Sequence, residues 1–100
     1  MASASPVMTV LEGRVEPEKS AELKRQYDSG TPLPPQMLRT FLVQSSSDPL
    51  LWRVISIWRS QAALEEYRRS VATPKGITMF RAAGAEPSVS LWEVATSIPS

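Results

Sequence analysis

Histidine, cysteine and asparagine are absent from this sequence. That removes the commonest general base, the commonest metal ligand, the usual proximal haem ligand and any thiol nucleophile. What remains for chemistry is a set of aromatic and cationic side chains. Trp58 ends a strand-like run and can stack on a flat aromatic ligand. Trp52 shares its parity, so the two can frame one pocket. Tyr67 and Tyr27 fall on the apolar stripes of two helical segments, where a phenol can donate to a quinone or phenolate oxygen. Arg39 and Arg53 sit mid-strand, where a charge needs a partner. That partner is either a substrate carboxylate or phenolate or a glutamate such as Glu12 or Glu93. Met79 and Phe80 lie on the connection after the second helix and can close a cleft as a lid. Tyr67, Arg39 and Arg53 are therefore the catalytic candidates, and Trp58, Trp52, Tyr27, Met79 and Phe80 the substrate-binding ones. Each also has a structural reading, as core aromatic, strand-end cover or cross-strand ion pair. Glu65/Glu66 and Glu16/Glu18 do not converge on one helix face, and with Arg68 and Arg69 the first pair reads as a solvated surface. No phosphate loop, nucleophile elbow or metal-ligand spacing is present, so no metal or cofactor is expected.

Such residues need elements to position them, and 100 residues supply a single domain. Eleven Lys+Arg against ten Asp+Glu leave a net charge of +1. A nucleic-acid binder carries a clear basic excess, and a polybasic membrane anchor a cationic cluster; neither is present. No apolar run approaches the roughly 18 residues of a membrane helix. Met1 to Pro6 lack the pattern of a secretory signal. The expectation is a soluble, cytoplasmic protein without nucleic-acid or membrane partners.

Val7 to Val15 reads as a first strand. Pro17 suits the first turn of a helix through Asp28, with Leu23 and Tyr27 on one stripe and Gly30 after it. Thr31 to Pro35, with three prolines, is a stiff connection. Met37 to Gln44 and Leu51 to Arg59 form a hairpin around the turn-forming Ser45 to Pro49. Ser60 is placed to cap a helix over Gln61 to Val71, whose apolar stripe is Leu64, Tyr67 and Val71; Glu65 and Arg69 sit four apart on its outer face. Ile77 and Phe80 suggest one or two helical turns ending at Gly84, and Ser88 to Ile98 is the last strand.

Strand, helix, strand, strand, helix, strand is the ferredoxin-like βαββαβ arrangement of the α+β class, with both helices on one face of a four-stranded antiparallel sheet and a core over residues 7–98. In the third strand, Leu51, Ile55 and Ile57 share one parity and Trp52, Val54 and Trp58 the other, interrupted by Arg53 and Ser56. In the second, Met37, Phe41 and Val43 oppose Leu38 and Leu42. A half-exposed sheet alternates more cleanly. Four strands make a face of roughly 400 Å², at the limit for an uncovered apolar patch. A second copy covering it, as a homodimer forming a dimeric α/β barrel, is expected. RNA-recognition modules share the element order, but the third strand lacks their Gly/aromatic signature and the charge is near neutral.

The run Leu51 to Ser70 (LWRVISIWRSQAALEEYRRS) places a strand-end tryptophan, a small capping residue and a short amphipathic helix in succession. With Pro17 opening the first helix and Trp92, Glu93 and Val94 in the last strand, it resembles the antibiotic-biosynthesis-monooxygenase family of dimeric ferredoxin-like α+β barrels, over residues 7 to 96. The resemblance implies a cofactor-independent monooxygenase acting on a small, flat, polyketide-type aromatic in a cleft between sheet and helices. Other members of that family degrade haem with a helix histidine, a strand tryptophan and a first-strand asparagine; of these types only the tryptophan, Trp58, exists here. The alternative is a non-catalytic ligand-binding or dimerisation module of the same fold.

Overall fold

Residues 7–14 alternate between the two sides of a sheet, with Val7, Thr9, Leu11 and Gly13 all buried. They form strand β1 (Val7–Arg14) in a computed structural model that describes residues 5–30 and 32–98. The expectations for residues 1–4 and for Thr31 lie outside the described residues. A 3-10 turn at Pro17–Lys19 leads into α1 (Ser20–Asp28), followed by β2 (Met37–Gln44), β3 (Leu51–Trp58), α2 (Gln61–Ser70), α3 (Lys75–Ala82) and β4 (Ser88–Glu93). Ser60 caps α2, its side chain accepting from the Ala63 amide at 3.0 Å. Gly84, at φ 81°, ends α3. Its amide donates to Arg81 O and the Ala85 amide to Phe80 O, the paired bonds of a left-handed helix cap.

The strands pair antiparallel in the order β2-β3-β1-β4. This is the ferredoxin-like topology. The expected dimeric α/β barrel is corrected: the sheet is not closed. β2 and β4 lie at opposite edges with no strand pairing between them, and four strands are about half the number that ordinarily closes a barrel. Among the described residues no helix is long and apolar enough to cross a membrane.

One sheet face carries the helices. Leu11, Val15, Leu23, Trp52, Val54, Met79 and Phe80 form the larger core cluster, and Val7, Trp58 and Leu64 a smaller one. Two glycines let α3 and the strand approach each other. A Cβ on Gly13 would stand 2.8 Å from Phe80 Cδ1, and one on Gly76 would stand 2.2 Å from Leu11 Cδ1.

Two departures from the sequence pattern have local causes. A bulge in β2 sets Met37 opposite Trp58 but Arg39 opposite Ile57. The extra residue, Leu38, flips Met37 to the helix side, away from Phe41 and Val43. The last strand ends at Glu93, not Ile98, because Glu93 already pairs with Val7, the first residue of β1. One further bond, from the Val94 amide to Pro6 O, closes that end.

Candidate functional site

A cleft of about 460 Å³ opens between the helix-bearing face and the helices. Leu11, Val54, Trp58 and Met37 form its apolar floor; Tyr27, Leu64, Tyr67 and Met79 form its walls. Trp58 is almost fully buried, and its ring lies 4.9 Å from that of Tyr67, tilted by 43°. The Trp58 Nε1–H donates to Thr9 Oγ1 at 2.9 Å, which holds the indole against the sheet. Tyr67 is fixed at its other end: its hydroxyl oxygen accepts from the Lys75 amide at 3.2 Å. The phenolic proton takes no part in that bond and is left to donate.

A row of short hydroxyls crosses the floor. Thr9 on β1 and Thr40 on β2 both lie opposite Ser56 on β3. Thr40 Oγ1 and Ser56 Oγ are 3.2 Å apart, and all three residues line the cleft. The charged residues among the lining are Asp28, Arg68 and Lys75, with the Lys75 ammonium donating to Ser29 Oγ at 3.0 Å. Among the described residues no three His, Cys, Asp or Glu side chains gather to hold a metal.

Of the residues singled out from sequence, Trp58, Tyr67, Tyr27 and Met79 meet in this cleft. Phe80 does not line it; it is wholly buried beneath α3 against Gly13. Trp52 shares the face of Trp58 but sits in the larger core cluster, outside the cleft. Its Nε1 is buried with no hydrogen-bond partner among the described residues, and Lys24 Nζ stands 5.7 Å from its ring centroid. Arg39 and Arg53 occupy the opposite sheet face. Arg53 donates to Glu12 Oε1 at 2.6 Å, the cross-strand pairing weighed above, and the Arg39 guanidinium lies 5.8 Å from the Phe41 ring. Parity separates Arg53 from the cleft, because odd positions of β3 face away from the helices; Arg39 lies beyond the β2 bulge, opposite Ile57 on that same outer face.

Sequence reasoning passed over Thr9, Ser56, Thr40 and Arg68. The signal for Ser56 was present, as a hydroxyl interrupting the Trp52, Val54, Trp58 parity. Thr9 likewise falls between Val7 and Leu11.

The sequence profile for antibiotic biosynthesis monooxygenases matches residues 6–84. The chain belongs to the antibiotic biosynthesis monooxygenase family. No curated protein matches it. Among solved structures, this family member is similar to a heme-degrading protein from Mycobacterium tuberculosis, with 20% identity, a TM-score of 0.74 and coverage of 98% of this chain and 100% of that one. It is also similar to SnoaB, a cofactor-independent oxygenase from Streptomyces nogalater, with 19% identity, a TM-score of 0.68 and coverage of 97% and 100%. A conserved protein from Methanosarcina mazei Go1 matches at 16% identity and a TM-score of 0.70, covering 89% and 92%. At these identities the likeness is one of fold, so this monooxygenase-family chain shares its architecture with a cofactor-independent oxygenase.

Proposed function

We propose that the cleft binds a small flat hydroxyarene and that the protein promotes its oxygenation by dioxygen without a cofactor. The observation that carries this reading is the Trp58–Tyr67 pair over a floor of hydroxyls, with a phenolic proton free to donate. An arene bound as its phenolate is electron-rich at the ring carbon para to oxygen. It passes an electron to dioxygen, the radical pair combines to form a C–O bond, and the peroxide loses water to leave a quinone. The arene loses four electrons in all and dioxygen gains four. One oxygen atom stays as the new carbonyl, and the other leaves as water with the ring and phenol protons. Substrate and dioxygen are the only reactants.

The protein's part is to hold the ring, exclude water and stabilise negative charge on oxygen. Trp58 and Tyr67 supply the ring contacts. The Tyr67 hydroxyl, with Thr9 and Ser56 as shorter donors, supplies the hydrogen bonds. The fold similarity to SnoaB supports the assignment, and the fold similarity to a heme-degrading protein raises the other one. The chain has no imidazole or thiolate to hold a heme iron, and the Tyr67 oxygen already accepts from the Lys75 amide, which favours the cofactor-free reading.

Dioxygen uptake and quinone formation with a panel of naphthols test the reading. The expected result is uptake above the buffer rate that falls on Tyr67→Phe substitution. Binding without uptake would instead establish the non-catalytic module, which the scarcity of carboxylates in the lining (Asp28 alone) favours. We further infer that a second copy of the chain covers the open sheet face, where Met8, Val10, Phe41, Val43, Ile55, Ile57 and Trp92 lie together.

A further inference from the structure

We propose that the cleft selects arenes bearing a carboxylate, and that the Arg68 guanidinium at its rim receives that group. The inference rests on the reading of the cleft as an arene site and adds the charge of the ligand to it.

Arg68 is the one arginine that lines the cleft. Most of the others are engaged. Arg14, Arg25, Arg53 and Arg81 each pair with a carboxylate, those of Asp48, Glu22, Glu12 and Glu86. Arg59 donates to Pro35 O at 2.8 Å. Arg68 makes no hydrogen bond or ion pair among the described residues, although Glu65 lies one turn behind it. Glu65 Oε2 accepts instead from Gln61 Nε2 at 3.2 Å, and Glu66 Oε1 accepts from Gln36 Nε2 at 2.6 Å. Arg68 follows Leu64 by four positions, so it continues along the helix the row that lines the cleft. A guanidinium without a partner among the described residues thus stands at the mouth of the cavity.

The balance of charge at the mouth favours an anion. Arg68 and Lys75 set two positive charges against the single carboxylate of Asp28. A planar carboxylate also matches the guanidinium fork, which a compact ammonium does not. The ligand this describes has a flat apolar body against Trp58 and Tyr67, oxygen toward the hydroxyl floor, and an acid at the solvent end.

Equilibrium dialysis of the full chain against hydroxynaphthoate, and against the naphthol that lacks its carboxyl, tests the proposal without requiring turnover. The wild type is expected to hold hydroxynaphthoate about fivefold more tightly, the scale of a solvent-exposed ion pair. Arg68→Gln should erase that preference and leave naphthol binding unchanged. Arg69→Gln, on the outer face of the same helix, should change neither. Equal affinity of the wild type for the two ligands overturns the carboxylate assignment and leaves the arene site standing. So does a loss in Arg69→Gln as large as that in Arg68→Gln. If neither ligand binds, the arene site falls and the carboxylate assignment with it.

Discussion

Tyr67 is the side chain on which the proposed chemistry turns, because one end of its hydroxyl is occupied and the other is not. The oxygen accepts from the Lys75 amide, and the phenolic proton is left over to donate. If that proton steadies an oxygen that gains charge in the transition state, Tyr67→Phe should lower kcat by about tenfold or more and leave KM nearly unchanged. Steady-state dioxygen consumption checks this, and an equal loss in binding would make Tyr67 a packing residue only. Trp58→Phe keeps an aromatic ring but strips Thr9 of its donor and leaves a small cavity where the rest of the indole was. It should cost about 1 kcal/mol in denaturant unfolding. By contrast, Arg39→Gln and Arg53→Gln should leave kcat/KM within about twofold of wild type, because both guanidinium groups sit on the far side of the sheet. These residues show what sequence discloses and what it hides. Trp58, Tyr67, Tyr27 and Met79 were legible because large side chains at strand or helix parity announce the face they occupy. Thr9 and Ser56 left only a faint signal, since a short hydroxyl interrupting a buried parity reads as filler until the neighbouring strand brings a second one beside it. Arg68 was masked by its nearby glutamates, whose partners come from Gln61 and from the distant Gln36.

At the scale of elements, two glycines distinguish backbone freedom from packing. Gly84 sits in the left-handed region, and a Cβ placed there would find nothing within 4 Å. Gly84→Ala therefore acts through the backbone alone and should destabilise by about 1 kcal/mol. Gly13→Ala drives a methyl into the buried Phe80 ring and should cost about 1–3 kcal/mol. Thermal melts of the two variants give the comparison. The hairpin and the capped α2 were readable from turn residues and Ser60. The ends of β2 and β4 were not: a bulge and the length of a partner strand determine them, and neither leaves a local mark. Ion pairs latch two of the connections. Asp48, in the β2–β3 turn, accepts from Arg14 at 2.5 Å and from the Leu50 amide at 3.2 Å, so its carboxyl is held below the usual range. The Arg81 guanidinium does the same to Glu86 beyond α3. A depressed carboxyl contributes stability that is present above its ordinary value and lost as pH falls through the folded-state value. The melting temperature should therefore drop as pH is lowered below about 4. Asp48→Asn should remove part of that drop; an unaltered acid limb would show that the Arg14 latch does not persist in solution.

At the scale of the whole molecule, the two sheet faces differ. The helices cover one, and the cleft lies beneath them. The other presents Phe41 at 43% and Trp92 at 55% exposure around the half-buried Val10, Ile55 and Ile57. A face of roughly 400 Å² is large for a monomer to leave in water. Two such faces together bury about 800 Å², short of the roughly 1,200 Å² of stable interfaces and in the range of weak ones, so the association should depend on concentration. Light scattering is expected to give a mass near twice 11.0 kDa at high concentration, falling on dilution. Val10 pairs with Ile55 on one side and Ser90 on the other, at the middle of the open face. Val10→Lys would bring a charge into the seam from each copy and should give a monomer with an unchanged circular dichroism spectrum. Because the cleft opens on the opposite face, that monomer should still bind naphthol. Loss of binding together with the dimer would mean that the second copy shapes the site. A wild-type mass of 11.0 kDa at every concentration would leave the open face without a second copy, and its aromatic residues as a surface for some other contact.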